Sequence, residues 1–170
     1  NKQFLLKYIK DGSYGCEIGV WKGNLSKFIT NHKKLSKFYL VDPWKYIPEF
    51  PSRWCGGKIA KDQKDMDKIY SSVVDMFKNN EVVEILKINS LDICSYIDDN
   101  SLDWVYIDGD HSYEVILIDL NNSYKLIKSG GYILGDDYNK DNNIVKAVKV
   151  FLNDKEDASL VEIKDRQFVI

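Results

Sequence analysis

Apolar positions along the chain fall into two alternating patterns. Short, nearly continuous apolar runs occur at Gly15–Ile18, Phe38–Val41, Val82–Ile88, Trp104–Ile107 and Tyr132–Leu134. Runs of that length and continuity suit parallel strands covered on both faces. Between them the apolar residues take helical spacing: Leu25, Phe28 and Ile29; Met66, Ile69, Tyr70, Val73 and Phe77; Ile116, Leu120, Tyr124 and Ile127; Ile144, Val148, Phe151 and Leu152. The third of these stripes is predicted to stop at Ser129-Gly130-Gly131, a helix-end signal. Strand and helix alternating in this way predict an open α/β sheet. The tail breaks the rhythm, because Leu160–Ile163 and Gln167–Ile170 flank Lys164-Asp165-Arg166 and read as a hairpin. The expected architecture is a doubly wound, mostly parallel seven-stranded α/β sheet with an antiparallel C-terminal edge hairpin.

One segment fits neither pattern. Residues Pro43 to Gly57 hold all three prolines, Trp44, Trp54 and the Gly56-Gly57 pair. A long loop is predicted there, following the second strand. Its tryptophans have two readings of equal weight: a cover over a ligand, or a small satellite core.

Composition narrows the class. With 170 residues, 44% hydrophobic and 29% charged, the chain is expected to be one globular domain spanning residues 1–170. A net charge of -2 supplies no global basic field for nucleic acid. No apolar run reaches membrane-spanning length. The three cysteines, Cys16, Cys55 and Cys94, are odd in number and lack metal-knuckle spacing. They predict reduced thiols and a cytoplasmic location. No signal-peptide pattern opens the chain, which begins at Asn1 and not at a methionine. Homo-oligomerisation is left open.

Candidate chemistry gathers where predicted strands end, which is where open α/β sheets bind ligands. The first strand runs into Glu17-Ile18-Gly19-Val20-Trp21-Lys22-Gly23. Its glycines would allow close backbone approach, but the spacing is not that of a dinucleotide binder. A carboxylate at this turn would repel a pyrophosphate and suit an ammonium group. Asp42 ends the second strand, where an acid can accept hydrogen bonds from ribose hydroxyls. Asn89 and Ser90, with Asp92, follow the third strand. They would meet an adenine edge, or Ser90 or Asp92 would cap a short helix. The fourth strand ends in Asp108-Gly109-Asp110-His111-Ser112-Tyr113 and the fifth in Asp136-Asp137-Tyr138. Neighbouring strand ends lie about 5 Å apart, so Asp108, Asp136 and Asp137 are expected to converge. Clustered carboxylates favour a hard divalent cation such as Mg²⁺.

Taken together, Glu17-Ile-Gly19-x-x-x-Gly23, Val41-Asp42-Pro43, Ile107-Asp108-Gly109-Asp110-His111-x-Tyr113 and Gly130-Gly131-x-x-x-x-Asp136-Asp137-Tyr138 resemble a class I S-adenosylmethionine-dependent methyltransferase. More narrowly, the chain is similar to the macrocin and rhamnosyl group of sugar and small-molecule O-methyltransferases, from about Tyr14 to Phe151. The resemblance implies a Rossmann-like methyltransferase fold and S-adenosylmethionine as cofactor, bound by Glu17, Gly19, Gly23, Asp42, Asn89, Ser90 and Asp108. It implies a Mg²⁺ or similar ion on Asp108, Asp136 and Asp137, with Asp108 or His111 as base. The acceptor it implies is a hydroxyl of a small molecule or sugar. A sugar hydroxyl needs such help, because it does not ionise unaided near neutral pH. Two other readings stand beside this one: an NAD-dependent oxidoreductase, disfavoured by the glycine spacing and Glu17, and a non-catalytic module that only binds S-adenosylmethionine.

Overall fold

The computed structural model describes residues 2–139 and 142–170. Helix α1 (Lys2–Leu5) leads into β1 (Tyr14–Ile18), α2 (Asn24–His32) and β2 (Lys37–Val41). A loop carrying a 3-10 turn at Trp54–Gly56 precedes α3 (Gln63–Phe77) and β3 (Val83–Leu86). A second 3-10 turn, Ser90–Ser95, leads to β4 (Leu102–Ile107), α4 (Tyr113–Leu126), β5 (Ile127–Gly135) and α5 (Asn142–Asp154). The hairpin β6 (Glu162–Lys164) and β7 (Gln167–Val169) completes the chain.

The strands form one seven-stranded sheet in the order β3-β2-β1-β4-β5-β7-β6. All pairs from β3 to β5 are parallel, and β7 joins β5 antiparallel. Side-chain alternation along the strands builds the two faces. Cys16, Ile18, Val105, Ile107 and Ile133 pack under α4 and α5, against Ile116, Leu120, Val148 and Phe151. Phe38, Leu40, Trp104, Tyr106 and Leu134 face the other way, against Ile29 of α2, Met66, Val73 and Phe77 of α3, and Phe4 and Leu5 of α1. The sheet is therefore covered on both sides, as its near-continuous apolar runs predict.

Two boundaries differ from the sequence expectation. Helix α4 ends at Leu126, and Ile127 starts β5 instead of closing the helical stripe. Ile127 pairs with Leu102 before the register shifts, and Gly130, at φ +77°, sits inside that irregular stretch. A tertiary strand pairing thus overrides the local helical period. The hairpin turn is also tighter than predicted, with Asp165 in the left-handed region at φ 57° between β6 and β7. No helix among the described residues is long and apolar enough to cross a membrane.

Candidate functional site

Strand order reverses about β1, which lies between β2 and β4. Ile18 is in register with Val41 on one side and Ile107 on the other, and Ile107 with Gly135. The next residue of each strand keeps one more ladder bond: Gly19 N–H to Val41 O at 2.9 Å, Asp108 N–H to Ile18 O at 2.8 Å and Asp136 N–H to Ile107 O at 3.2 Å. Gly19, Asp42, Asp108 and Asp136 therefore stand in a row along one sheet edge, at the crevice where such sheets bind ligands.

Gly19 is required by packing. At φ +89°, a Cβ there would lie 2.1 Å from the Asp108 carbonyl oxygen. The missing side chain lets the β1 and β4 turns meet. Gly23, at φ +71°, is the N-cap of α2 and is needed for that left-handed backbone.

Glu17 points into the protein and is 2% exposed. It accepts a hydrogen bond from Ser26 Oγ at 2.6 Å. Burial pushes its carboxyl up to about 8; the Ser26 bond opposes that shift, and the charges of Asp108 and Asp42 add to it. Asp42 is committed to the local backbone. Its Oδ2 accepts from Trp21 N–H at 2.9 Å and its Oδ1 from Trp44 N–H at 2.7 Å. Burial raises its pKa, and these two bonds moderate the rise. A carboxylate oxygen with one such bond still has a second acceptor position.

Asn89, and neither Ser90 nor Asp92, caps the turn after β3: its side chain accepts from Leu91 N–H at 3.1 Å. Ser90 lies beside Asp119 of α4, which is fully buried. Burial raises Asp119 to about 7, with the Ser90 hydroxyl working in the opposite direction.

The acid cluster is rearranged from its expected form. Ligand-capable atoms of Asp108, His111 and Asp137 lie within 4.8 Å of one another, while Asp136 is outside that group. Asp137 takes the left-handed φ of 56°, and Asp136 Oδ1 accepts its N–H at 2.8 Å. His111 Nε2 is 3.8 Å from Asp137 Oδ2. Arg166, in the β6–β7 turn, approaches Asp137 Oδ1 to 3.3 Å through Nη1. The sequence marked that segment only as a turn, so Arg166 was not legible as a site residue.

The long loop buries one of its tryptophans and leaves the other half exposed. Trp44 is fully buried, with its indole N–H donating to Trp21 O at 2.8 Å and its ring 5.0 Å from Tyr70. Trp54 is half exposed and packs on Trp21 at 5.8 Å between centroids. Beside it, Arg53 lies 4.2 Å over the Phe50 ring and forms an ion pair with Asp110. The loop thus reaches from the end of β2 to the turn after β4.

No curated protein sequence matches the chain. Solved structures share the fold at low identity. The O-methyltransferase NovP is 19% identical, with a TM-score of 0.68 over 99% of this chain and 74% of its own. A geranyl diphosphate methyltransferase in complex with S-adenosylmethionine is 11% identical, with a TM-score of 0.54 over 79% of this chain and 46% of its own. An S-adenosylmethionine-dependent methyltransferase from Mesorhizobium loti is 11% identical, with a TM-score of 0.55 over 79% of this chain and 50% of its own. The chain spans between 37% and 74% of the length of solved structures that share its fold. A family model described as a methyltransferase domain matches residues 16–138. That span takes in the glycine turn, Asp42, the Asp108–His111 segment and Asp137, and the chain belongs to this methyltransferase domain family.

Proposed function

We propose that the chain transfers a methyl group from S-adenosylmethionine to a hydroxyl of a small molecule, with sugars the leading class, and that a divalent cation assists. One observation carries the reading. Strand order brings three acids, Glu17 of β1, Asp42 after β2 and Asp108 after β4, around one glycine turn at the switch point of the sheet. A cationic ligand suits a turn lined by the Asp42 and Asp108 carboxyl groups, whereas a pyrophosphate would be repelled by them. The ammonium and sulfonium of S-adenosylmethionine fit this environment.

When bound, that cofactor supplies an electrophilic methyl group, so the protein's task is to orient and deprotonate the acceptor. Asp108, at the end of β4, and His111 are the candidate bases. Asp137 Oδ2 lies 3.8 Å from its Nε2, so a carboxylate stands beside the imidazole to orient it. Two carboxylates and an imidazole also fit a divalent cation. The nitrogen ligand favours Mn²⁺ over Mg²⁺, which prefers oxygen alone. An ion on Asp108, His111 and Asp137 would acidify a bound hydroxyl.

The test is turnover of a diol-bearing acceptor with and without EDTA, followed by Mn²⁺ or Mg²⁺. We expect chelation to stop turnover and Mn²⁺ to restore it. Asp137→Asn should lose metal-dependent turnover while keeping cofactor affinity. If turnover survives chelation, the cation is not part of the reaction. His111 is then the base, and His111→Ala should abolish activity.

A further inference from the structure

The chain has 24 Lys and Arg residues, and only Arg53 and Arg166 are arginine. Both lie at the mouth of the candidate site, on segments far apart in sequence. Arg53 belongs to the loop after β2 and pairs with Asp110. Arg166 belongs to the β6–β7 turn and pairs with Asp137. Asp110 adjoins His111, whose imidazole faces Asp137, so the two guanidiniums flank one short stretch of the rim. Their side chains are 34% and 53% exposed and can be reached from solvent.

Lysine would neutralise these acids equally well as a point charge, and the chain uses lysine nearly everywhere else. What lysine lacks is the planar fork that grips two oxygens of one oxyacid. The Arg53 guanidinium carbon also lies 4.2 Å from the centre of the Phe50 ring, a contact that restrains its fork. Asp110 and Asp137 are then internal partners that each guanidinium can exchange for an incoming oxyanion. Exchange at Arg166 would also release Asp137 to serve the reacting hydroxyl or a cation.

We propose that the acceptor carries an anionic oxyacid group, a phosphate ester or a carboxylate, near the hydroxyl to be methylated, and that Arg53 and Arg166 bind it. This rests on the reading of the chain as a hydroxyl methyltransferase and narrows its substrate class.

The test is calorimetric titration of the full chain with glucose 1-phosphate, glucuronate and glucose, beside a separate titration with S-adenosylhomocysteine. At least one anionic sugar should bind about tenfold more tightly than glucose, and which one identifies the phosphate or the carboxylate. Arg53→Lys and Arg166→Lys keep the charge and remove the fork, and each should weaken that binding about tenfold. Lys149→Gln, on the exposed face of α5, should leave it unchanged. Equal binding of all three sugars, no saturable heat from either anion, or unchanged affinity in both arginine variants would overturn the proposal. S-adenosylhomocysteine binding in that case sinks the anionic acceptor alone. Its absence sinks the methyltransferase reading as well.

Discussion

At the scale of single residues, the site depends on two positions, one constrained by close packing and the other by burial. At Gly19 a methyl group would meet the Asp108 carbonyl at 2.1 Å, on a backbone already at φ +89°. Gly19→Ala should therefore lower stability by ~2 kcal/mol or more, read as a lower urea midpoint. An unchanged midpoint would mean that the two turns separate easily. Glu17 carries a different cost. Its carboxyl is raised to about 8 in the fold from an ordinary 4.5, chiefly by burial. The folded chain thus holds a proton that the unfolded chain releases above about pH 4.5. The stabilising contribution is complete below that pH and is lost as pH rises toward 8. Asp119, raised to about 7 by burial, acts in the same direction over a lower window. Between pH 5 and 6 each group should contribute a slope of about 1 kcal/mol per pH unit, and the Asp119 share fades toward pH 7. Glu17→Gln should remove its share of that slope in chemical denaturation at several pH values. An unchanged slope would show that Glu17 is ionised in the fold.

Residue type and position at a strand end made Glu17, Asp42 and Asp108 legible in the sequence. The partition between Asp136 and Asp137 was not, because it depends on the sign of one φ angle. Hydropathy pattern says nothing about that angle.

At the scale of elements, the loop after β2 is where packing and function meet. Its base is fixed: Gln63 Nε2 donates to Trp44 O at 2.9 Å, and Gln63 Oε1 accepts from Tyr46 N–H at 2.9 Å. Its tip rests on the Trp54–Trp21 contact and the Arg53–Asp110 pair, and it leaves Phe50 and Trp54 about half exposed. A part-exposed ion pair contributes little stability, so the tip should open more readily than the base. Trypsin cleavage at Arg53, Lys58 or Lys61 should slow when S-adenosylhomocysteine is present, with a change in tryptophan fluorescence. Equal cleavage with and without the ligand would make the tip plain packing. The loop's existence was visible from its prolines and glycines. Which tryptophan is buried was not, since that follows from the indole bond to Trp21 and the ring contact with Tyr70. The α4–β5 boundary was misplaced for a similar reason: Ile127 suits a helical stripe locally but is taken by pairing with Leu102.

At the scale of the whole molecule, strand order places the ends of β1, β2, β4 and β5 on one edge, and the hairpin adds Arg166 to it. Helix α1 is drawn toward the far edge of the sheet, where Lys7 Nζ pairs with Glu162 of β6 at 2.6 Å and Tyr8 hydrogen-bonds the same carboxylate. Alternation of strands and helices announced this architecture. The order of the strands, which brings Glu17, Asp42 and Asp108 to one turn, enters only through tertiary pairing. The central claim is that this acid-lined turn receives a cationic methionine cofactor. Calorimetry of the full chain against S-adenosylhomocysteine, S-adenosylmethionine and NAD tests it most directly. The account predicts stoichiometric binding of the first two and no comparable binding of NAD. It also predicts that Asp42→Ala weakens cofactor affinity by at least about tenfold, through loss of charge-assisted hydrogen bonds. Tight NAD binding with no heat from either methionine-derived cofactor would contradict it.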